Sequence, residues 1–285
     1  MAVTLALSGG GAKCAAQAGV LAVLPESGVA IRALVGVSTG GLVAVLYALS
    51  WSPPAISDFI AGTHLLELWD FDPSRRALLG QARFRARLTA AVGDRTFDDL
   101  AYPVTLVAVD LATGAEVELD AGRLADALVA TMAMPGLLPP FTLNGRQLVD
   151  GGVVNPLPVD VARRAGLPVV AIDVAGMSST AVPPGPLLET TGPLGVVAGL
   201  GQRVGLIGML EVVNQALLIT TGRIRDHNLF THPLEVLIRP AVDHVGLFAS
   251  DLAAEAYAAG QSAAQAALPQ LAAFAQSALA PVRQP

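Results

Sequence analysis

The sequence predicts a three-layer α/β/α fold around a mostly parallel sheet, and two observations support that prediction. Short runs rich in Val, Ile and Leu recur along the chain, and most are followed by a glycine-containing turn and then by apolar residues at helical spacing. Such alternation favours a parallel sheet that helices cover on both faces. Hydrophobic residues make up 53% of the 285 residues, which is ample material for the core of this fold.

The predicted elements follow in chain order. Strands are predicted at Val3–Leu7, Ile31–Val35, Pro103–Asp110, Glu116–Leu119, Gln147–Val149, Pro168–Val174 and Glu235–Ile238. Helices are predicted at Ala12–Leu24, Gly40–Leu49, Ala55–Leu68, Arg83–Val92, Arg123–Thr131 and Val159–Ala165. The Thr113–Gly114 pair between two of the strands predicts a local hairpin beside the sheet.

Composition and charge exclude several classes of protein. With 17 basic and 23 acidic residues the net charge is −6, which argues against nucleic-acid binding. A single cysteine, Cys14, excludes an intrachain disulfide and suits a reducing compartment. The uncharged stretches Ala33–Ser57 and Ala256–Val282 are broken by Gly and Pro or are rich in Ala and Gln, so neither is typical of a membrane span. With no signal-peptide pattern at the N-terminus, we expect a cytoplasmic protein; peripheral membrane contact stays open, because apolar contact alone can drive adsorption.

The pattern Gly36-Val37-Ser38-Thr39-Gly40 is the strongest single feature of the sequence. It follows a predicted strand and precedes a predicted helix, which is the strand–turn–helix context of a nucleophile elbow. Gly36 and Gly40 permit a strained backbone and a close approach, while Ser38 projects at the carboxyl edge of the sheet. A serine in an ordinary turn is the alternative, and the context disfavours it.

A second glycine cluster, Gly9-Gly10-Gly11-Ala12-Lys13, follows the first predicted strand. A phosphate loop requires Ser or Thr after the lysine, and a dinucleotide fingerprint from Gly9 requires Gly at position 14; Cys14 violates both patterns. The remaining interpretation is a set of backbone N–H groups aimed at an anion, as an oxyanion hole requires. Lys13 either adds positive potential there or ties loops together, and the structural role is favoured.

A nucleophilic serine needs a base, and the sequence offers two kinds. Asp150 ends an apolar strand, and Gly151 and Gly152 let the chain turn away, which leaves the carboxylate at the sheet edge where Ser38 emerges. The histidines stand in no pattern typical of a triad and are more typical of surface positions. They are His64, His227, His232 and His244.

Together these motifs resemble the patatin-like phospholipase family, closest to its small bacterial members. Gly9–Lys13, Gly36–Gly40 and Asp150–Gly152 occur in the family's order. The segment Ala130–Gly136 with Pro139–Pro140 is similar to the family's approach to its catalytic Asp, and Val153–Pro158 is similar to its continuation. The resemblance covers residues 3–175.

The resemblance implies a mechanism as well as a fold. In that family a Ser–Asp dyad works without histidine, which implies that Ser38 and Asp150 cleave lipid or phospholipid esters through an acyl-enzyme, with no metal or organic cofactor. It also implies that the amides of Gly10 and Gly11, with Thr39, stabilise the oxyanion. Cys14 departs from the family's usual Gly, but it is small enough for the loop to survive.

Two other functions remain open from the sequence. One is a small-ester or thioester hydrolase with a Ser-His-Asp triad that uses His232 or His244, although only one strand precedes the strand that leads to Ser38. The other is a non-catalytic lipid-binding protein of the same fold. If the predicted helix extends back to Arg76, then Arg76, Arg83 and Arg87 share one helical face, which is either solvated or a docking patch for head groups or an acidic partner.

The resemblance divides the chain into two parts. Residues 1–180 are the predicted catalytic core, and residues 181–285 are a predicted helical portion packed on the same domain. Thr180–Gly192 is rich in Pro and Gly, which indicates a boundary or hinge. Apolar spacing over Gly195–Thr221 is typical of a helix packed on the core, and the alternative is a lid or interfacial segment near residues 187–222.

Overall fold

A computed structural model describes residues 1–64, 70, 76–175 and 206–277. Its strands are β1 Ala2–Leu7, β2 Ala30–Val37, β3 Val104–Asp110, β4 Glu116–Leu119, β5 Phe141–Leu143, β6 Arg146–Asp150, β7 Val169–Ile172 and β8 Val236–Ile238. Its α-helices are α1 Ala15–Val23, α2 Thr39–Ala48, α3 Pro53–Ala61, α4 Ala82–Val92, α5 Leu124–Thr131, α6 Val159–Arg163, α7 Leu206–Thr231 and α8 Ala253–Ser277. Short 3₁₀ turns lie at Gly11–Cys14, Leu24–Ser27, Phe97–Asp99, Gly151–Val153 and Ser250–Leu252.

The strands form one mixed sheet in the order β5-β6-β3-β2-β1-β7-β8, with β4 also paired to β3. Pairing is parallel from β3 through β2, β1 and β7 to β8. It is antiparallel between β3 and β4, between β3 and β6, and between β5 and β6. The predicted mostly parallel sheet and the hairpin after β3 are therefore confirmed.

Alternating side chains of the central strands pack into two separate cores, one on each face of the sheet. On β1, for example, Leu5 and Leu7 belong to the larger core and Ala6 to the smaller one. The larger core contains residues of α1 to α5 and α8. The smaller one contains residues of α6, with Leu229 of α7 packed against it. This division gives the three layers that the sequence predicts, because strand side chains alternate between the two faces.

Helix α8 lies directly against α1, and two glycines allow the close approach. A Cβ on Gly260 would lie 1.9 Å from the Ala16 carbonyl oxygen, and one on Gly19 would lie 2.1 Å from the Tyr257 carbonyl oxygen. Helix α8 also contains Pro269, whose missing N–H normally disfavours a helix interior. None of the helices that the structure describes combines the length and hydrophobicity that a bilayer crossing requires.

Two predicted helices differ from the structure by three or more residues at one end, and the other four differ by one or two. The predicted Ala12–Leu24 helix begins as a 3₁₀ turn and becomes α1 at Ala15, because Gly11 has a φ of 57° and the Ala12 amide donates to the Leu247 carbonyl. The predicted Ala55–Leu68 helix ends at Ala61, where the Arg87 guanidinium binds the carbonyls of Phe59 and Gly62. Residues 65–69 lie outside the described residues, as do the Thr180–Gly192 hinge and most of the predicted 187–222 lid.

Arg76, Arg83 and Arg87 do not lie on one helix in the structure, so the shared helical face predicted for them is wrong. Helix α4 begins at Ala82, so Arg76 lies outside it and only Arg83 and Arg87 are on the helix. Arg87 stacks over the Phe59 ring, with its Cζ 4.4 Å from the ring centroid, and also binds Thr63 Oγ1. Arg87 therefore joins α4 to the end of α3 and is not available as part of a docking patch.

Candidate active site

The strand register brings Ser38 and Asp150 together. β2 ends at Val37, which pairs with Val107 of β3, and β6 ends at Asp150, which pairs with Ala108. Because Val107 and Ala108 are consecutive, the two chain ends reach the same level of the sheet. There the Ser38 Oγ donates a hydrogen bond of 2.6 Å to Asp150 Oδ2.

The backbone around Ser38 explains the glycines of the elbow. Ser38 has a φ of 53° and a ψ of −134°, a backbone conformation that residues other than glycine rarely adopt. A Cβ on Gly36 would lie 2.7 Å from Gly41 Cα, and one on Gly40 would lie 2.3 Å from the Ser8 carbonyl oxygen. Neither position can carry a larger residue without movement of the backbone. The turn therefore projects Ser38 at the start of α2, which begins at Thr39.

Asp150 is a buried carboxylate held by two hydrogen bonds. Its Oδ2 accepts from Ser38 Oγ, and its Oδ1 accepts from the Gly152 amide at 2.8 Å. Burial raises the pKa of Asp150 to about 6, while the hydrogen bonds from Ser38 and Gly152 lower it. A carboxylate with this pKa is largely ionised at neutral pH and is still basic enough to accept a proton from a reacting group.

The glycine-rich loop lies beside Ser38. A Cβ on Gly9 would lie 3.2 Å from Ser38 Cβ, and the Gly9 amide donates to the Pro156 carbonyl. A Cβ on Gly10 would lie 2.9 Å from Val174 Cγ2, and one on Gly11 would lie 2.1 Å from the Leu247 carbonyl oxygen. The loop is therefore tightly packed at all three positions, and at Gly11 a side chain would require the backbone of Leu247 to move.

Backbone amides of the loop and the elbow are available to a ligand. Within the part of the chain that the structure describes, the amides of Gly10, Gly11 and Thr39 donate to no acceptor. Gly11 and Thr39 line the same cavity as Ser38 and Asp150. Two residues of the cavity lining, Gly11 and Thr39, therefore have amides without an acceptor, and an oxyanion hole requires such free donors.

Lys13 does not line the cavity. Burial lowers the pKa of Lys13, while the carboxylates of Asp243 and Asp173, with the buried Cys14, raise it. Lys13 therefore lies in the field of carboxylates outside the cavity. The Cys14 thiol is fully buried and lies 3.7 Å from the Ser8 carbonyl oxygen, and burial raises the pKa of the thiol. A small thiol fits at this position with the loop intact.

Ser38 and Asp150 line an apolar cavity of about 130 Å³. Its walls include side chains of α2, α3 and α4, the segment after α5, and the segment after β8. Among them are Leu42, Ile60, Phe84, Met132, Met134, Leu247 and Phe248. Most of the lining is apolar and Ser38 and Asp150 are part of it, so the cavity suits an apolar group bound in the same space as a polar centre.

Sequence reasoning missed several residues of the site. Thr131 accepts a hydrogen bond from the Ser38 amide, and Leu247, Phe248 and Ser250 line the cavity from the C-terminal part of the chain. Thr131 belongs to the segment Ala130–Gly136, which supports the family resemblance, so the sequence indicated that the segment matters. It did not indicate that Thr131 binds the Ser38 amide. The three C-terminal residues follow no motif, and only the tertiary fold brings them to the cavity.

The histidines make other contacts. His64 Nδ1 lies 3.0 Å from Ser250 Oγ, and His232 Nδ1 lies 3.0 Å from Thr231 Oγ1. His244 Nε2 lies 2.8 Å from Glu255 Oε1, and both side chains are more than half exposed. None of the four histidines, all within the described ranges, hydrogen-bonds to Ser38 or Asp150. The geometry therefore favours Asp150 over a histidine as the base.

The described residues contain no group of three or more His, Cys, Asp or Glu side chains arranged to hold a metal ion. Asp173 instead makes ion pairs with two arginines: its Oδ2 lies 3.0 Å from Arg239 Nε and 3.7 Å from Arg225 Nε. Asp173 and Arg225 are both almost completely buried. This cluster links the end of β7 to α7 and to the residue after β8.

Comparisons with known proteins agree with the motifs and the geometry. The model of the patatin-like phospholipase family matches residues 5–163, more than half of the chain. Patatin-like phospholipase domain-containing protein 7 of Mus musculus is 32% identical over 188 residues, which cover 63% of this chain and 14% of that protein. An NTE family protein of Mycobacterium tuberculosis is 30% identical over 277 residues, which cover 93% of this chain and 46% of that protein.

The chain thus spans less than half the length of these curated relatives. Among solved structures, VipD from Legionella pneumophila is similar in fold, with a TM-score of 0.54 and 11% sequence identity. The similarity covers 94% of this chain and 66% of the VipD chain. At this identity the likeness concerns the fold alone, and it extends beyond the region that the family model matches.

Proposed function

The chain belongs to the patatin-like phospholipase family, and from that membership and the site geometry we propose that it is a lipid acyl hydrolase. It cleaves carboxylic esters of lipids or phospholipids, with Ser38 as the nucleophile and Asp150 as the base. The observation that carries the proposal is the 2.6 Å hydrogen bond from Ser38 Oγ to Asp150 Oδ2 beside an apolar cavity. A nucleophile and a base within hydrogen-bond reach are the minimum arrangement for covalent catalysis.

The first half of the reaction forms an acyl-enzyme. Ser38 Oγ attacks the ester carbonyl carbon while Asp150 Oδ2 takes the hydroxyl proton, which gives a tetrahedral intermediate with a negative oxygen. Collapse of the intermediate breaks the bond to the alcohol oxygen, and the departing alcohol takes the proton from Asp150. Ser38 then carries the acyl group as an ester.

The second half restores the enzyme. Asp150 accepts a proton from a water molecule as that water attacks the acyl carbonyl carbon. The second tetrahedral intermediate releases the carboxylic acid, and Ser38 Oγ regains the proton from Asp150. The cycle consumes one ester and one water and uses only side chains and backbone groups of the chain.

Unpaired amides stabilise both tetrahedral intermediates. Gly11 and Thr39 line the cavity with Ser38, and their N–H groups, like that of Gly10 in the same loop, donate to no acceptor among the described residues. Removal of one such donor from an oxyanion hole typically costs about 3–4 kcal/mol of transition-state stabilisation. Gly9 and Lys13 support the loop from outside this donor set.

The cavity provides the site for the acyl chain. Met132 and Met134 lie on its wall, and methionine side chains adapt readily to an apolar ligand. Burial of acyl methylenes in such a cavity contributes about 0.8 kcal/mol each. The apolar lining therefore favours an ester with an aliphatic acyl group over a charged or strongly polar one.

A panel of acyl esters and a fluorophosphonate probe test the proposal. We expect the wild-type chain to hydrolyse fatty acyl esters and to gain the mass of one phosphonate. Ser38→Ala should lose both properties, since it removes the nucleophile. Ser250→Ala removes a second serine of the cavity wall and should still be labelled. Labelling that persists in Ser38→Ala, or a wild-type chain that hydrolyses no ester of the panel, would contradict the proposal.

A further inference from the structure

We propose that Thr131 is a positioning residue that holds Ser38 in register with Asp150; this inference rests on the proposed function of the same site. Thr131 is the last residue of α5 and is fully buried. Its side chain does not line the cavity, so it acts through Ser38 and not on the substrate.

The Thr131 hydroxyl connects the elbow to the strand beside it. Oγ1 accepts a hydrogen bond of 3.0 Å from the Ser38 amide and donates one of 2.6 Å to the Val107 carbonyl. The hydroxyl thus acts as acceptor and donor at once, and a hydroxyl group has the capacity for both. Because the side chain is buried, water does not compete for either bond.

The Val107 carbonyl is a fixed point between the two catalytic residues. Val107 pairs with Val37, the residue before Ser38. The same carbonyl oxygen also packs against Gly151, the residue after Asp150: a Cβ added to Gly151 would lie only 2.2 Å from it. Thr131 therefore links the Ser38 amide to the Val107 carbonyl, and Gly151, which follows Asp150, packs against that carbonyl.

The segment that begins at Thr131 also holds the base. The Asp150 amide donates to the Ala133 carbonyl at 3.0 Å. Thr131 and Ala133, two residues apart, thus bind the backbone amides of Ser38 and Asp150 respectively. Met132, between them, has its side chain on the cavity wall. The segment from Thr131 to Ala133 therefore connects the geometry of the dyad to the site of the acyl group.

The strain at Ser38 makes this support necessary. A non-glycine residue with a φ of 53° persists only where the surrounding structure holds it. The Thr131 methyl lies next to Gly41 of α2, since a Cβ added to Gly41 would be 3.5 Å from it. The Thr131 hydroxyl accepts the hydrogen bond from the Ser38 amide. Loss of the hydroxyl should let Ser38 Oγ drift from its distance to Asp150.

Thr131→Val and Thr131→Ser separate the hydroxyl from the methyl. Valine keeps the shape without the hydrogen bonds, and serine keeps the hydrogen bonds without the methyl. We expect Thr131→Val to lower kcat on a soluble ester by about 10- to 100-fold, with KM within about twofold, because misplaced reacting groups slow chemistry more than binding. Thr131→Ser should recover kcat to within about fivefold of wild type.

Thr4→Val is the matched control. Thr4 is also fully buried, but its Oγ1 has no hydrogen-bond partner among the described residues. Loss of that hydroxyl should leave kcat unchanged and should not lower the melting temperature, since no hydrogen bond is broken. Melting temperatures of all variants are measured beside the kinetics.

Two results would overturn the inference. One is wild-type kcat in Thr131→Val; the other is equal loss of kcat in Thr131→Val and Thr131→Ser, which would indicate packing alone. If Thr131→Val does not fold, Thr131→Ala against Thr131→Ser gives the same comparison without the methyl, and equal kcat again overturns it. Failure of the proposed function is distinct, since the wild-type chain would then hydrolyse no ester.

Discussion

The part of the chain that the family model matches, residues 5–163, and the C-terminal part over residues 206–277 contribute differently to one cavity. The first part provides Ser38, Asp150 and the glycine-rich loop, all placed by strands of the sheet. The second provides Leu247 and Phe248, which line the cavity. The groups that we assign to the chemistry are thus separate in sequence from part of the surface that would contact the acyl group.

The two parts also meet at the backbone. The Leu247 carbonyl accepts from the Ala12 amide and lies against Gly11. The second part therefore holds the loop that we assign to the oxyanion hole. The similarity to the Mycobacterium tuberculosis NTE family protein runs over 93% of the chain, so it is not confined to the family match. From this comparison we expect a change at a lining residue beyond residue 163, such as Phe248, to alter substrate choice without altering the contact between Ser38 and Asp150.

The largest effect on stability and activity is expected from a Gly→Ala substitution in α2, compared with a Gly→Ala substitution in α7 of the C-terminal part. Gly40→Ala in α2 places a Cβ 2.3 Å from the Ser8 carbonyl oxygen, whereas Gly222→Ala in α7 meets no atom within 4 Å. We expect Gly40→Ala to lower the free energy of unfolding by about 3 kcal/mol and to abolish activity. Gly222→Ala should raise it by about 0.5–1 kcal/mol, since alanine favours helix. Urea denaturation measures both.

Equal stability of the two glycine variants would contradict the close packing assigned to the elbow. Full activity in Gly40→Ala would contradict it as well, because the Ser8 carbonyl precedes the glycine-rich loop. Gly222→Ala serves as the control for the general effect of adding a methyl group to a helix.

The pH dependence of hydrolysis is the next effect in size. Since burial raises the pKa of Asp150 to about 6 and the base must be ionised, kcat/KM should fall about tenfold per pH unit well below pH 6. A pH–rate profile on a soluble ester measures this. A profile that is flat between pH 4.5 and 7, with the chain still folded, would contradict Asp150 as the base.

The ionisation of Asp150 should lower the stability of the fold as the pH rises, whereas it raises kcat/KM. Its pKa in the fold, about 6, lies above its ordinary value of 3.8, so the fold favours the protonated carboxyl. That contribution is complete below about pH 4 and is lost as the pH rises through 6, for a difference of about 3 kcal/mol. The stability of Asp150→Asn relative to wild type should therefore increase from pH 4 to pH 8, as measured by thermal unfolding.

A smaller effect is expected from the cavity wall beyond the family match. Phe248→Ala enlarges the cavity and should raise the ratio of kcat/KM for a long over a short acyl ester by about tenfold, since one or two methylenes discriminate by that amount. Phe230→Ala is the control in the same part of the chain, because Phe230 is 87% exposed. An unchanged ratio in Phe248→Ala would show that this wall does not select the acyl group.

The sheet was predictable because its strands are local patterns. Each of the seven predicted strands overlaps a strand of the structure, since buried runs of Val, Ile and Leu bounded by glycine turns leave few alternatives. β5 was missed because three residues, Phe141–Leu143, carry too little pattern. Helix α8 was not given bounds, since its Ala-rich sequence with Pro269 has weak periodicity and its position depends on close packing against α1.

The candidate site was predictable only in part for the same reason. Ser38 and Asp150 stand in local motifs, and the structure brings them into hydrogen-bond contact; their roles remain predictions. The contact of Thr131 with Ser38 spans 93 residues, and that of Leu247 with the glycine-rich loop depends on tertiary folding. No local pattern encodes either contact, so only the folded chain shows them.

The most direct test of the account is the rate of ester hydrolysis by Asp150→Asn, measured beside His244→Ala. The asparagine amide would keep the size of the side chain but could not accept the proton, so kcat should fall by about 10²- to 10⁴-fold in a chain that remains folded. His244 is exposed and paired with Glu255, so its substitution should change kcat by less than about twofold. Wild-type turnover in Asp150→Asn, with loss of turnover in His244→Ala, would contradict the Ser38–Asp150 dyad.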